Sequence, residues 1–143
     1  MQEFQKRVPD GKSVVLDSTL PREAMAAAMG DYTTRCQVLV IVTSISPTTR
    51  GKSLVPEGDM ARFMKELTES KVPTVLLSLG SPYLLGAFPD ASAYMATFST
   101  TEPSEVAATR ALFGEIPISG HLPVSIPGYA KFGEGIQLAA RPR

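Results

Sequence analysis

The chain has 143 residues, 14 basic against 14 acidic side chains, 43% hydrophobic residues and a single cysteine. That length suits one domain with a core of its own, and the balanced charge disfavours a nucleic-acid groove or an anionic membrane surface, both of which need a basic excess. One cysteine excludes an internal disulfide and a cysteine-built metal site, and no apolar run approaches the 20 residues needed to span a bilayer.

The first segment, MQEFQKRVPDGK, is polar and has no apolar stretch of the kind that targets secretion. It reads as residues 1–12 of a frayed linker ahead of a domain at 13–143, so that the chain is a piece of a longer protein. The compartment stays open. Val14-Val15-Leu16 is a short β-branched run between polar residues and predicts a strand. PREAMAAAMG follows as a helix from Pro21 to Gly30, and Cys36, just ahead of the next apolar run, reads as a buried, inert thiol.

Val38 to Val42 is apolar at every position. A strand without alternation is one buried on both faces, as in parallel sheets. A helix from Pro56 carries Met60, Phe63, Met64 and Leu67 at helical spacing, and Val75-Leu76-Leu77 gives the next strand. Pro82 opens a short helix, a weaker strand runs from Tyr94 to Phe98, and a last helix from Pro103 ends at Gly114. Glu23 and Glu105 fall in first turns, where a carboxylate suits the helix dipole. This alternation predicts a three-layer α/β/α sandwich with a mostly parallel sheet.

In such a sheet ligands bind at the C-terminal edge of the strands. The residues following the strands are Ser18-Thr19, Thr43 to Ser46, Gly80-Ser81 and Ser99 to Thr101, a rim of hydroxyls that can cap helices or hold a polar ligand. The nucleotide-loop and hydrolase motifs fail: RGKS has Ser46 where the phosphate loop needs glycine, and neither Ser53 nor Ser81 sits in Gly-x-Ser-x-Gly. His121, the single histidine, reads as a solvated loop residue, and nothing in the sequence calls for a metal or cofactor.

LFGEIPISGHLPVSIPGY, Leu112 to Tyr129, is apolar yet carries Pro117, Pro123 and Pro127. It can be neither helix nor inner strand, so it must cover something as extended chain. Its apolar residues Leu122, Val124 and Ile126 are expected to pack while Pro123 and Pro127 mark bends or an edge. Together with Gly80-Ser81-Pro82, Leu112-Phe113-Gly114, the run Ser119 to Pro127 and Phe132 to Gly135, this segment resembles the C-terminal α/β domain of glycoside hydrolase family 3, in the bacterial β-N-acetylglucosaminidase-like branch. His121 stands where that family usually has a basic residue.

The resemblance implies a flavodoxin-like fold closed by the proline-rich tail. It implies a partner, an N-terminal TIM barrel that supplies the nucleophilic aspartate and that this chain is too short to contain. It also implies a carbohydrate substrate for the whole enzyme. Some branches place the acid/base glutamate in the loop after the second strand, but here SISPTTRGKSLVPEG offers just Glu57, read as a first-turn helix residue. In the β-N-acetylglucosaminidase-like branch that group is a barrel histidine, so the domain need supply no catalytic residue. Arg50, Lys52, Ser53, Ser81 and Glu102 are the residues expected to face substrate or barrel, with Arg50 and Lys52 on an exposed loop. Asp17 is the one aspartate at a predicted strand end. Three readings stand: a domain that serves a glycosidase barrel, a free-standing module binding a small polar ligand at the sheet edge, and a purely structural domain.

Overall fold

A computed structural model describes residues 2–45 and 54–141. The elements in chain order are α1 (Gln2–Arg7), α2 (Arg22–Met29), α3 (Tyr32–Arg35), β1 (Leu39–Ile45), α4 (Gly58–Thr68), β2 (Thr74–Gly80), α5 (Leu84–Ala87), β3 (Ala93–Ala96) and α6 (Glu102–Leu112). The strands form one parallel sheet in the order β1-β2-β3, with Ile41, Leu76 and Tyr94 in one cross-strand row and Val42, Leu77 and Met95 in the next.

Successive side chains on a strand point to opposite faces, so these two rows define two cores. On one face Leu76, completely buried, meets Met64 of α4, Leu84 of α5 and Phe88. The same layer extends to Met25 of α2, which packs with Leu39, Phe63 and Leu67. On the other face Leu77 and Leu79 meet Ala108 of α6, with Met95 and Leu112 against them. Helices therefore cover both faces, and the expected three-layer α/β/α arrangement is the one observed.

The strands depart from expectation in three places, the first being β3, which stops at Ala96, short of the expected Phe98. Residues 14–16 form no strand; Leu16 packs against the Met25 and Leu39 core while Val15 is exposed. β1 is buried on one face rather than two: Leu39 is buried, but Val40 and Val42 are exposed, Val42 at 47%. Among the described residues the far face carries α6, which covers β2 and β3 and leaves the β1 valines uncovered. Cys36 is half-buried against the Met25 cluster rather than fully enclosed.

The helix starts fall close to the prolines. Pro21 directly precedes α2, Pro56 lies two residues ahead of α4, and Pro103 is the second residue of α6. Glu23 and Glu105 lie in the first turns of α2 and α6, and Gly30 and Gly114 turn the chain at φ 62° and 71°. Arg22 grips Glu66 of α4 through two hydrogen bonds of 2.7 Å, tying α2 to α4.

Residues 2–7, read as frayed chain, form a helix that docks on the end of α6. Phe4 meets Phe113 edge to face with ring centres 5.6 Å apart, and the Arg7 guanidinium lies 5.9 Å from the centre of the same ring. Arg7 donates to both carboxylate oxygens of Glu115 and, at 2.8 Å, to Glu3. Lys6 and then Arg7 hold the Glu3 carboxyl at about 2, far below its ordinary 4.5. A carboxyl depressed in the folded state stabilises above its unfolded pKa and loses that contribution as pH falls. The melting temperature is therefore expected to decline between pH 4.5 and 2 more steeply in the parent chain than in Glu3→Gln. Arg7→Ala should also lower the melting temperature at low salt, with the difference shrinking in 1 M salt as surface charges are screened. Melting curves across pH and salt check both.

After α6 the chain extends and doubles back. Ile118 and Leu138 form an antiparallel bridge, Leu122 donates to Glu134 at 2.7 Å and Ile126 to Ala130 at 2.7 Å. Arg141 finally donates its backbone N–H to Gly114 at 2.8 Å. Ile126 is buried, Leu122 and Val124 are half-buried, and Pro123 and Pro127 are exposed, as the alternation of apolar and proline residues required.

Candidate functional site

The C-terminal edge of the sheet is where Ile45, Gly80 and Ala96 end their strands. Gly80 closes β2 at φ 103° and lies so near β1 that a Cβ there would strike the Ile45 carbonyl, with the Thr100 methyl 3.2 Å away. This close approach pulls β1, β2 and the segment after β3 together at one point of the rim.

Below it, Ser78 is fully buried and donates its hydroxyl to the Ser81 carbonyl. Tyr94 of β3 donates to the Pro82 carbonyl at 2.8 Å. Two strands thus satisfy the carbonyls of the turn that leads into α5, in a place where unpaired carbonyls would be costly. Burial pushes the Tyr94 phenol above its ordinary 10.0. Tyr94→Phe removes the donor to Pro82 and is expected to cost about 1 kcal/mol by denaturant unfolding, without loss of the fold.

Of the residues expected to face substrate or barrel, Ser81 is buried in this turn, its hydroxyl accepting from the Tyr83 N–H at 3.4 Å. Glu102 is exposed at the start of α6. Arg50, Lys52 and Ser53, and with them the expected exposed loop, lie outside the described residues. Ser81 and Glu102 fall at the same end of the sheet, following β2 and β3 respectively, and no hydrogen bond joins them among the described residues.

The rim hydroxyls are largely spent on the chain itself. Thr97 donates to the Ser99 carbonyl at 2.8 Å, and the Ser99, Thr101 and Ser104 hydroxyls form a chain of contacts at 3.0 and 3.3 Å over the start of α6. Thr43 and Ser44 lie inside β1 rather than after it. Phe98, expected as the end of a strand, lies two residues past β3; it is 40% exposed on this edge and holds φ 57°, the one described non-glycine residue with a positive φ. The signal available in the sequence was an aromatic residue between Thr97 and Ser99 immediately past an apolar strand.

The acid–base candidates are separate structures. Asp17 follows no strand. Its carboxylate accepts the Thr19 N–H and hydroxyl, both at 2.8 Å, and these bonds hold its pKa below the usual carboxylate range. His121 is exposed in the tail with Nδ1 2.9 Å from the Gly133 carbonyl. A carbonyl only accepts, so Nδ1 carries the proton. Glu57 is exposed and immediately precedes α4 rather than lying in its first turn. Among the described residues no group of three or more His, Cys, Asp or Glu side chains is placed to hold a metal ion, and no helix is long and apolar enough to cross a membrane.

No family model and no curated protein matches the chain. A solved structure of the fungal multi-domain GH3 beta-N-acetylglucosaminidase, described as holding a unique GCN5-related glucosamine N-acetyltransferase region, is similar in fold. The TM-score is 0.67 over 94% of this chain at 20% sequence identity. The chain spans 14% of that protein's length. At this identity the likeness carries the fold and neither of the two activities named for that protein. The chain is an α/β domain whose fold recurs inside a GH3 multi-domain enzyme.

Proposed function

We propose that the chain is the C-terminal domain of a family 3 glycoside hydrolase of the β-N-acetylglucosaminidase-like branch, supporting a catalytic barrel and contributing to β-glycoside hydrolysis only with it. The observation that carries this reading is the segment Gly114 to Pro127. Its Leu-Phe-Gly turn and its Ser-Gly-His-Leu-Pro-Val-Ser-Ile-Pro run resemble the family's closing pattern. Support comes from the run's place after the last helix, with Ile126 buried and Pro123 and Pro127 exposed.

The chemistry is consistent with a supporting role. Retaining hydrolysis needs two carboxyl-type groups roughly 5–5.5 Å apart across one sugar. Asp17 is engaged by Thr19 and His121 by Gly133, on segments more than 100 residues apart in sequence. Glu102, with Arg50, Lys52 and Ser53, is assigned to the barrel-facing edge on its place after a strand. Ser81 shapes that edge from within its turn.

The reading is tested by the gene from which the chain derives. A segment of about 250 residues encoding a TIM barrel on the same polypeptide supports it. A polypeptide with no such segment overturns it in favour of a free-standing module.

A further inference from the structure

The segment after β3 holds one aromatic residue on a strained backbone and leaves its ring partly in water. Phe98 has φ 57°, in the left-handed region that bulky side chains rarely enter. Bonds on either side fix it there. Thr97 donates its N–H to the Ser78 carbonyl at 3.0 Å and its hydroxyl to the Ser99 carbonyl at 2.8 Å, so the two neighbours of Phe98 are tied to each other across it. The Ser99 hydroxyl in turn accepts the Thr101 N–H at 3.3 Å, where α6 begins. Strain of this kind persists only where the surrounding bonds over-determine it, and it gathers at binding and active sites. Core packing does not account for it: Phe98 belongs to none of the three core clusters and stays 40% exposed.

The neighbourhood selects the chemistry of a ligand. Next to Phe98 the Ser99, Thr101 and Ser104 hydroxyls form a neutral chain, and the exposed Glu102 adds a carboxylate that accepts hydrogen bonds. The sequence holds no lysine or arginine between Lys71 and Arg110, so the segments that follow β2 and β3 carry no cation to draw an anion. A flat apolar face beside hydroxyls and a carboxylate suits a neutral ring with C–H groups on its faces and hydroxyls around its rim, which describes a pyranose. The place is right as well, since ligands of open parallel sheets bind at the C-terminal edge.

We propose that Phe98 is a substrate-binding residue whose ring is the stacking platform for a pyranose ring of the glycoside. The substrate class rests on the proposed function. The backbone bonds around Phe98 set the platform before substrate arrives, so little freedom is lost on binding. The platform acts on binding rather than on the reacting bond, and its loss raises KM while leaving kcat in place.

The test is steady-state kinetics of the full polypeptide that carries this chain, on the β-linked disaccharide of N-acetylglucosamine, which has no aryl group to compete for the ring. Phe98→Leu keeps the apolar bulk and removes the flat face. Its KM is expected to rise about tenfold with kcat held within about twofold. Phe98→Tyr should keep the parent KM, and Phe98→Leu should move the melting temperature of this chain by no more than about 2 °C. An unchanged KM in Phe98→Leu, in a polypeptide that cleaves the disaccharide, overturns the platform and leaves the proposed function standing. A KM that rises as much in Phe98→Tyr, or a melting temperature that falls by more than about 5 °C in Phe98→Leu, gives Phe98 a structural role and overturns the platform as well. A polypeptide that leaves the disaccharide intact overturns both readings.

Discussion

Removal of residues 118–143 is expected to lower the melting temperature by more than 10 °C. The outgoing limb buries Ile126 fully and Leu122 and Val124 partly. Burying one aliphatic side chain is worth about 1.5–3 kcal/mol, so the three together supply about 4 kcal/mol. For a domain of this size each kcal/mol moves the midpoint by roughly 3–5 °C. The deletion also removes Arg141, whose side chain covers Gly114 and whose N–H satisfies the Gly114 carbonyl at the end of α6. The return limb supplies hydrogen bonds but no buried side chain, so a chain ending at residue 130 should lose much less than one ending at 117. Calorimetry on the two truncations separates the limbs. An unchanged midpoint on removing 118–143 would show that the tail covers nothing.

Gly80→Val is expected to cost about 3 kcal/mol or more, mostly through backbone strain and collision. Gly80 holds φ 103°, a conformation L side chains rarely adopt, and the new Cβ would meet the Ile45 carbonyl across the β1–β2 ladder. A rigid backbone atom cannot yield as a flexible side chain would. Relief requires the C-terminal ends of β1 and β2 to separate, which opens the rim next to Ser81 and Thr100. The substitution should therefore act on stability and on the edge together. Denaturant unfolding gives the first, and faster exchange of the Ile45 and Ser81 amides gives the second. Gly58→Val offers a control: φ there is 59°, but nothing lies within 4 Å of the added Cβ, so strain acts without collision.

The α/β alternation was legible because both of its signals are local. Continuous apolar runs mark strands of a covered parallel sheet, and prolines and glycines mark helix ends. Val75 to Leu77 came close to that expectation, with Leu76 and Leu77 buried and Val75 half-buried, since β2 is central in the sheet. Val38 to Val42 met it by half, because position in the sheet decides which faces are covered, and a sequence does not state that β1 is an edge strand. Residues 14–16 have strand-like composition but no backbone partner among the described hydrogen bonds. β-branched residues favour a strand only when another strand is there to pair with. α1 escaped notice because its polar sequence resembles a linker. What fixes it is a contact at a separation of 108 residues, Arg7 with Glu115, beside the Phe4 and Phe113 rings.

Which residues follow the strands was legible; how they are engaged was not. Ser81 falls at the strand end where ligands gather, but its burial depends on Ser78 and Tyr94 converging on one turn from two strands. Phe98, expected as a strand end, instead holds a positive φ, because backbone strain leaves no mark in composition. The division of the rim hydroxyls among themselves is equally a matter of three-dimensional spacing, at 3.0 to 3.3 Å between Ser99, Thr101 and Ser104.

On the proposed reading this domain hydrolyses no glycoside by itself and contributes to hydrolysis only together with a barrel. The direct measurement is release of the aryl group from an aryl β-N-acetylglucosaminide, with the aryl β-glucoside in parallel. One set of samples holds this chain alone and the other the full polypeptide that carries it. The account predicts no turnover above background for the chain and clear turnover for the full polypeptide. Turnover by the chain alone that is abolished by Asp17→Ala or His121→Ala would contradict it and make this a compact hydrolase.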